Sequence, residues 1–152
     1  MQDLLQRLRD MRSKKNEAGF TLIELLVVVV IIGILIAIAI PLYLNYENGA
    51  KNKSSASDLR AAISTVEQCY TDNNNTYPAT FSVVAPAVGA PCTGQKVNVS
   101  AGTTLNYVLS GSAYSIVTQQ AGQSIWYCYA SANGGAVKTE SGSFPTAYQA
   151  SC

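Results

Sequence analysis

Gly19-Phe20-Thr21-Leu22-Ile23-Glu24 opens an almost unbroken apolar run that extends to Leu44. A helix of about 20 apolar residues crosses the hydrocarbon layer of a bilayer, and residues 20–44 reach that length. The carboxylate of Glu24 lies inside this run, where inserting an acidic residue at mid-helix costs about 2.5–3.5 kcal/mol. We therefore expect a membrane helix that retains Glu24 for a partner.

Basic residues dominate ahead of this run. Five Lys or Arg and three Asp or Glu precede Gly19, whereas five basic and six acidic residues follow it. Cationic residues that flank a membrane helix stay in the cytoplasm, so we expect the N-terminus inside and the remainder outside. A secretory signal has a shorter apolar region followed by small residues. An uncleaved anchor leaves Glu24 and the Gly19–Phe20 junction unexplained.

The block from Gly19 to Val27, with Gly33 and Pro41 further along the apolar run, resembles the class III signal sequence of type IV prepilins, which type II secretion pseudopilins share. The resemblance implies an α+β type IV pilin fold, with a long N-terminal helix packed on a small antiparallel sheet and a disulfide-bearing C-terminal region. Gly33 and Pro41 weaken a helix. In the family this stretch is often partly unwound within the filament; a simple kink is the alternative, and both remain open.

The resemblance also implies how the chain is processed. A prepilin peptidase cuts between Gly19 and Phe20 and methylates the new amine, which keeps its positive charge, and Glu24 meets the Phe20 amine of a neighbouring subunit. The implied partners are identical subunits in a helical homopolymer, the peptidase, the pilus assembly machinery in the membrane and other minor pilins. The chain would cross the cytoplasmic membrane once and then enter an extracellular pilus.

Three segments are expected on these grounds. Residues 1–19 form a cleaved basic leader, residues 20–44 form the transmembrane and filament-core helix, and residues 45–152 form a globular domain outside the cytoplasm. The leader is either weakly amphipathic and rests on the membrane or a basic targeting tail alone. The amphipathic interpretation rests on the helical spacing of Leu4, Leu5, Leu8 and Met11.

The helix is expected to continue through about Asp72, with one buried face and one hydrated face. Consecutive asparagines from Asn73 and the Tyr77-Pro78 pair predict its end. The residues at the spacing of a buried face are Leu59, Ala62, Ile63, Val66, Cys69 and Tyr70. The residues expected to face water are Lys53, Asp58, Arg60 and Glu67.

Strands follow a predicted loop at residues 80–94. Alternation and β-branched or aromatic content predict strands near 96–99, 104–109, 115–119 and 125–131, with a shorter one near 136–139. Residues 141–152 are rich in Ser, Gly and Pro and are expected to be irregular.

The four cysteines all follow the apolar run, and an even number in a small exported domain indicates disulfides. Three pairings are possible, and we favour Cys69 with Cys92 and Cys128 with Cys152. The first would attach the helix to the following loop and the second would fasten the tail to a strand. Because the chain has no histidine and no CxxC pair, we expect no metal site.

Catalysis and nucleic-acid binding have little support. Histidine, the usual general base near neutral pH, is absent, so no catalytic residue and no cofactor is expected. Trp126, Tyr127 and Tyr129 are expected to pack in a core rather than to form a binding stripe. Beyond the apolar run only Lys51 and Lys53 cluster, so a lone subunit should bind DNA weakly or not at all, although a filament multiplies weak sites.

The leading hypothesis is a structural subunit of a type IV pilus. The first alternative is a type II secretion pseudopilin. The major pseudopilins carry a calcium loop near the C-terminus in the family pattern, and here only Glu140 follows Asp72 among the carboxylates. The second alternative is a membrane-tethered binding module that never polymerises.

Overall fold

The computed structural model describes residues 19–150 and Cys152. The chain divides into two compact units, the first ending at Tyr43 and the second comprising Leu44–Cys152. The predictions for residues 1–18, including the amphipathic leader, lie outside the described residues.

One helix, α1, extends from Leu22 to Asp72 over 51 residues. Its part in the first unit consists almost entirely of Leu, Ile, Val and Ala, and the mean hydropathy of its most apolar 18-residue window is 3.4. An α-helix satisfies its backbone hydrogen bonds internally, so it suits a segment that is surrounded by hydrocarbon. Within the described residues, α1 is the one helix long and apolar enough to cross a membrane.

In the second unit, α1 buries one face. The buried residues recur at helical spacing and are Ser55, Ala56, Asp58, Leu59, Ala62, Val66 and Cys69. The prediction that Asp58 faces water is wrong, because its carboxylate accepts hydrogen bonds from the Ser100 backbone N–H at 2.8 Å and the Ser100 hydroxyl at 3.0 Å. Asn74 and Asn75 follow the helix with φ of 51° and 58°, a left-handed conformation that asparagine tolerates.

A five-stranded antiparallel sheet packs beside this part of α1, with strand order β1-β4-β5-β6-β7. A separate antiparallel pair is formed by β2 and β3. The strands are β1 Phe81–Val84, β2 Val88–Cys92, β3 Gln95–Asn98, β4 Thr103–Ser110, β5 Ala113–Gln120, β6 Ile125–Ala130 and β7 Lys138–Ser141. The α+β prediction and the strands expected between residues 96 and 139 are confirmed, with shifts of a few residues at their ends.

The prediction of a loop at residues 80–94 is wrong, because this segment contains β1 and β2. Pro86 and Pro91 suggested irregular structure. Pro86 lies in the turn between the two strands, and Pro91 lies in β2, which belongs to a two-stranded pair that tolerates a missing backbone donor at its outer edge. Val83 of β1 is buried beneath α1 with the main core.

The sheet is covered on both faces. On the helix side the core consists of Leu59, Ala62, Val66, Val83, Val97, Leu105, Tyr107, Tyr114 and Ile116. On the other side Val117, Trp126, Cys128, Ala130 and Cys152 form a second cluster, against which Phe144 packs. Five consecutive residues of β5, from Tyr114 to Thr118, are therefore buried.

Buried polar contacts fix where α1 lies on the sheet. The Thr118 hydroxyl donates to the backbone carbonyl of Ser55 at 2.9 Å, and Asp58 receives the two hydrogen bonds from Ser100. Apolar contacts tolerate sliding, whereas each of these groups would lose its partner if the helix moved by one residue.

We predict that Asp58→Ala lowers the free energy of unfolding by about 1–3 kcal/mol, because two donors on Ser100 lose their acceptor. Arg60→Ala is the control: Arg60 lies two residues away on the exposed face, and its loss should change stability by less than about 0.5 kcal/mol. The measurement is denaturant unfolding of the full chain in detergent micelles, followed by tryptophan fluorescence. Equal unfolding midpoints for the two variants would contradict a stabilising role for the hydrogen bonds between Asp58 and Ser100.

Candidate functional site

The start of α1 is closed by a reciprocal set of hydrogen bonds. The Glu24 carboxylate accepts from the backbone N–H and the hydroxyl of Thr21, both at 2.8 Å. The Glu24 backbone N–H donates to the Thr21 hydroxyl oxygen at 3.3 Å. This is a capping box, in which a Thr before the helix and a Glu three residues later satisfy each other's backbone donors.

Glu24 therefore has a hydrogen-bond partner, Thr21, within its own chain. The sequence predicts instead a partner on a neighbouring subunit. The signal that predicts the contact with Thr21 is the spacing Thr21-x-x-Glu24 ahead of an apolar run. A carboxylate in the first turn also interacts favourably with the partial positive charge of the helix N-terminus. Gly19 and Phe20 precede the capped turn and are exposed.

Helix α1 is continuous through Gly33 and Pro41. A side chain at Gly33 would meet no atom outside its own helical turns within 4 Å, so no contact among the described residues requires glycine there. Pro41 lacks a backbone donor and therefore leaves one carbonyl in the preceding turn without its helical partner. The described chain shows no unwound segment at either residue.

The first part of α1 exposes its whole circumference. Every large apolar side chain from Phe20 to Leu44 is exposed, with Phe20 90% and Leu22 89% accessible and the others between 48% and 67%. Each Å² of apolar surface kept in water costs about 25 cal/mol. This surface is suited to hydrocarbon or to the apolar surface of another protein molecule, and its polar side-chain groups are limited to the Thr21 hydroxyl, the Glu24 carboxylate and the Tyr43 hydroxyl.

Two disulfides join distant segments of the second unit. Cys69 in α1 is bonded to Cys92 in β2, and Cys128 in β6 is bonded to Cys152. Cys69 and Cys128 are fully buried and Cys152 is 2% exposed. The segment after β7 is also attached by hydrogen bonds from the Asn106 side chain to the Pro145 carbonyl and from the Gln149 N–H to the Ser115 hydroxyl.

A carboxylate lies against a group of tyrosines on the helix side of the sheet. Glu67, which is predicted to face water, is partly exposed, and it accepts hydrogen bonds from the Tyr114 hydroxyl at 2.5 Å and from the Tyr77 hydroxyl at 3.5 Å. Burial and the hydrogen bond to Glu67 raise the pKa of Tyr114 far above its usual value of 10.0. Burial and the Glu67 charge also raise the pKa of Tyr77.

The aromatic side chains of β6 lie in the second unit, as do the cysteines that were considered as metal ligands. Trp126 belongs to the cluster beneath the tail, while Tyr127 and Tyr129 pack against the core on the helix side. The aromatic run of β6 is therefore divided between the two faces of the sheet. Among residues 19–150 and 152, no three Cys, Asp or Glu side chains are placed to hold a metal ion.

These features define a protein that inserts or assembles through an exposed, capped apolar helix and carries a disulfide-bonded α+β domain. The model of the prokaryotic N-terminal methylation motif matches residues 14–40. The chain is 33% identical over 118 residues to a type IV major fimbrial protein, FimA, of Dichelobacter nodosus, covering 72% of this chain and 74% of that protein. The chain belongs to the type IV pilin family.

Two further relatives match over shorter lengths. A type II secretion system core protein G of Aeromonas hydrophila is 33% identical over 78 residues, covering 51% of this chain and 54% of that protein. The type IV major pilin protein PilA of Myxococcus xanthus is 36% identical over 67 residues, covering 44% and 30%. No solved structure matches the chain.

We predict that the folded domain loses stability as the pH rises above about 10, and that Tyr114→Phe flattens this loss. The pKa of Tyr114 is raised in the folded chain, so above the unfolded value of 10.0 the unfolded chain releases a proton that the folded chain keeps. This contribution is complete below pH 10 and disappears as the pH rises beyond it.

At neutral pH Tyr114→Phe should itself lower the free energy of unfolding by about 1.5–3 kcal/mol, because the Glu67 carboxylate loses the hydrogen bond that the Tyr114 hydroxyl donates to it. The control is Tyr46→Phe, since Tyr46 is 71% exposed. Thermal unfolding is measured between pH 7 and pH 11. Parallel pH profiles for the wild type and Tyr114→Phe would contradict the prediction.

Proposed function

We propose that the chain is a type IV prepilin whose mature form polymerises into an extracellular pilus. The observation that carries the proposal is the apolar surface of residues 20–44, which is exposed around the whole helix and contains Glu24 of the capping box. Such a surface suits first a bilayer and then a bundle of identical helices. Membership of the type IV pilin family supports this use of it.

We propose processing at the junction that precedes the cap. A membrane peptidase cuts between Gly19 and Phe20 and methylates the Phe20 amine, so that residues 20–44 become the start of the mature chain and residues 45–152 its globular domain. The motif model that spans residues 14–40 supports this assignment. The excess of basic residues ahead of Gly19 supports an orientation with the leader in the cytoplasm.

In the filament, Glu24 would exchange one partner for another. Within the single chain its carboxylate is held by Thr21. An amine carried by Phe20 of a neighbouring subunit would offer a full positive charge, which offsets more of the cost of a carboxylate in apolar surroundings than neutral donors do. This pairing would select one axial position among the many that apolar packing alone permits.

Gly33 and Pro41 are proposed to ease entry into the filament. Since α1 is continuous in the single chain, any unwinding between these residues would accompany assembly. The partners in that step are the membrane assembly machinery and identical subunits, together with other minor pilins. A structural role is proposed rather than an enzymatic one, and DNA binding by one subunit is expected to be weak.

A type II secretion pseudopilin is the second candidate, because proteins of that system match about half of this chain. The fimbrial relative matches nearly three quarters of it, which favours the pilus. A tethered binding module that never polymerises would retain its leader and remain monomeric.

We predict that Gly19→Leu blocks processing, because a bulky side chain obstructs the approach of the peptidase to the backbone. Intact-mass analysis should find a mature chain beginning at N-methyl-Phe20 for the wild type and a retained leader for the variant. Ala18→Leu, one residue further from the bond, is the control. A wild-type surface protein that keeps its leader would contradict the proposed processing.

We predict that Glu24→Leu sharply reduces pilus yield at equal membrane levels of the protein. Two variants separate the cap from the charge. Glu24→Gln keeps a capping side chain and loses the charge, whereas Thr21→Val removes the capping hydroxyl and keeps the charge.

If charge pairing directs assembly, Glu24→Gln should lower the yield more than Thr21→Val, and its yield should lie between those of Glu24→Leu and the wild type. The yield is measured by shearing and quantifying surface filaments. Normal pili from Glu24→Leu would contradict the pairing mechanism, and a greater loss from Thr21→Val than from Glu24→Gln would make helix capping the dominant role.

A further inference from the structure

A small cleft lies at one end of the second unit and includes Tyr77, whose hydroxyl lies near Glu67. It is formed where the last turn of α1 and the connection to β1 meet the turn between β4 and β5. Its volume is about 240 Å³, and its lining residues are Tyr70, Asn75, Thr76, Tyr77, Leu109, Gly111 and Ser112. All of these residues belong to the second unit.

Two tyrosine rings and Leu109 form the apolar part of the cleft. The ring centroids of Tyr70 and Tyr77 lie 4.4 Å apart with an interplanar angle of 30°, and both side chains are partly exposed. Tyr77 is held from behind, because its ring contacts Tyr114 at a centroid distance of 4.9 Å and its hydroxyl points to Glu67. The aromatic surface is therefore fixed before any ligand arrives, which lowers the entropic cost of binding.

Neutral polar side chains form the rest of the rim. The lining residues Asn75, Thr76 and Ser112 are all exposed, so their side chains are accessible to a ligand. Asn75 is held in a left-handed conformation by the hydrogen bond from its N–H to the Tyr70 carbonyl at 3.0 Å. An amide and two hydroxyls supply both donors and acceptors.

The chemistry of the lining limits the ligand. None of the seven lining residues is charged or is a Cys, His or carboxylate, so the cleft has no group that would pair with a phosphate or an ammonium or bind a metal ion. Its volume of about 240 Å³ lies below the range of roughly 300–1,000 Å³ that is usual for drug-sized ligands. A small neutral ligand with one apolar face and several hydroxyl groups suits this lining.

We propose that this cleft binds a single neutral sugar ring. The C–H face of a pyranose would stack on the tyrosine surface, and its hydroxyls would exchange hydrogen bonds with Asn75, Thr76 and Ser112. One ring in an open cleft corresponds to millimolar affinity. Binding by one subunit does not depend on polymerisation; in the filament proposed above, repetition of the site would raise the avidity.

The test uses the full chain in micelles of a phosphocholine detergent, whose headgroup contains no sugar. Saturation-transfer difference NMR is recorded with the methyl glycosides of galactose, mannose, glucose and N-acetylglucosamine, and with sorbitol, which has the hydroxyls but no ring. At least one glycoside should give signals from its ring C–H groups at millimolar concentration, and sorbitol should give none. No signal from any of the four glycosides would overturn the proposal.

A matched pair of variants locates the binding. Ser112→Arg places a long side chain in the cleft and should weaken binding by about tenfold or more. Ser110→Arg adds the same charge to an exposed residue of the same hairpin outside the cleft and should bind as the wild type does. Near-UV circular dichroism verifies that both variants are folded.

Equal binding by the wild type and Ser112→Arg would contradict the proposed location of the sugar in the cleft. An equal loss of binding in Ser112→Arg and Ser110→Arg would contradict it as well. Since the measurement is made on monomers in micelles, a failure to form pili would contradict the proposed function and leave this result unaffected.

Discussion

The apolar surface of residues 20–44 is the constraint on which the rest of the molecule depends. No part of the chain that the structure describes covers it, and the hydrophobic effect makes prolonged exposure to water unfavourable in proportion to its area. The backbone is a helix there because a helix leaves no backbone group in need of water. A segment of this kind resides in lipid or among similar helices. The proposed function places it in the membrane before assembly and among identical helices in the filament afterwards.

The Glu24 carboxylate gives this otherwise uniformly apolar surface a group that can select a particular partner. In lipid an unpaired carboxylate is costly, and the single chain reduces that cost with the hydrogen bonds from Thr21. Those bonds are local and are neutral on the donor side, so a cation from another subunit competes with them effectively. The same side chain thereby stabilises the start of the helix before assembly and is proposed to define the register of subunits afterwards.

The second unit illustrates which features a sequence predicts. Helical spacing of apolar residues reports burial directly, so the sequence predicts the buried face that contains Leu59, Ala62 and Val66. For Asp58 and Glu67 the sequence predicts contact with water, because a carboxylate is normally hydrated. Their partners, Ser100 and Tyr114, lie 42 and 47 residues further along the chain, and no local pattern reveals contacts across such separations.

Strands β1 and β2 are not predictable from local sequence, for a related reason. Pro86 and Pro91 are signals of irregular structure in isolation, whereas pairing of β1 with β4 and of β2 with β3 depends on residues elsewhere in the chain. The capping box at the start of α1 was different, since Thr21 and Glu24 are close in sequence and their spacing was available. The cleft between the end of α1 and the β4–β5 turn could not be predicted, because it exists only once these segments are brought together.

The central claim is that residues 20–44 form the core of a filament. A three-dimensional electron cryomicroscopy reconstruction of filaments sheared from cells tests it most directly. The account predicts that the helical segments of many subunits pack together along the filament axis, out of contact with water, with each Glu24 beside the N-terminal amine of a neighbour. A filament whose axis is occupied by the globular domains, with residues 20–44 exposed on its outside, would contradict it.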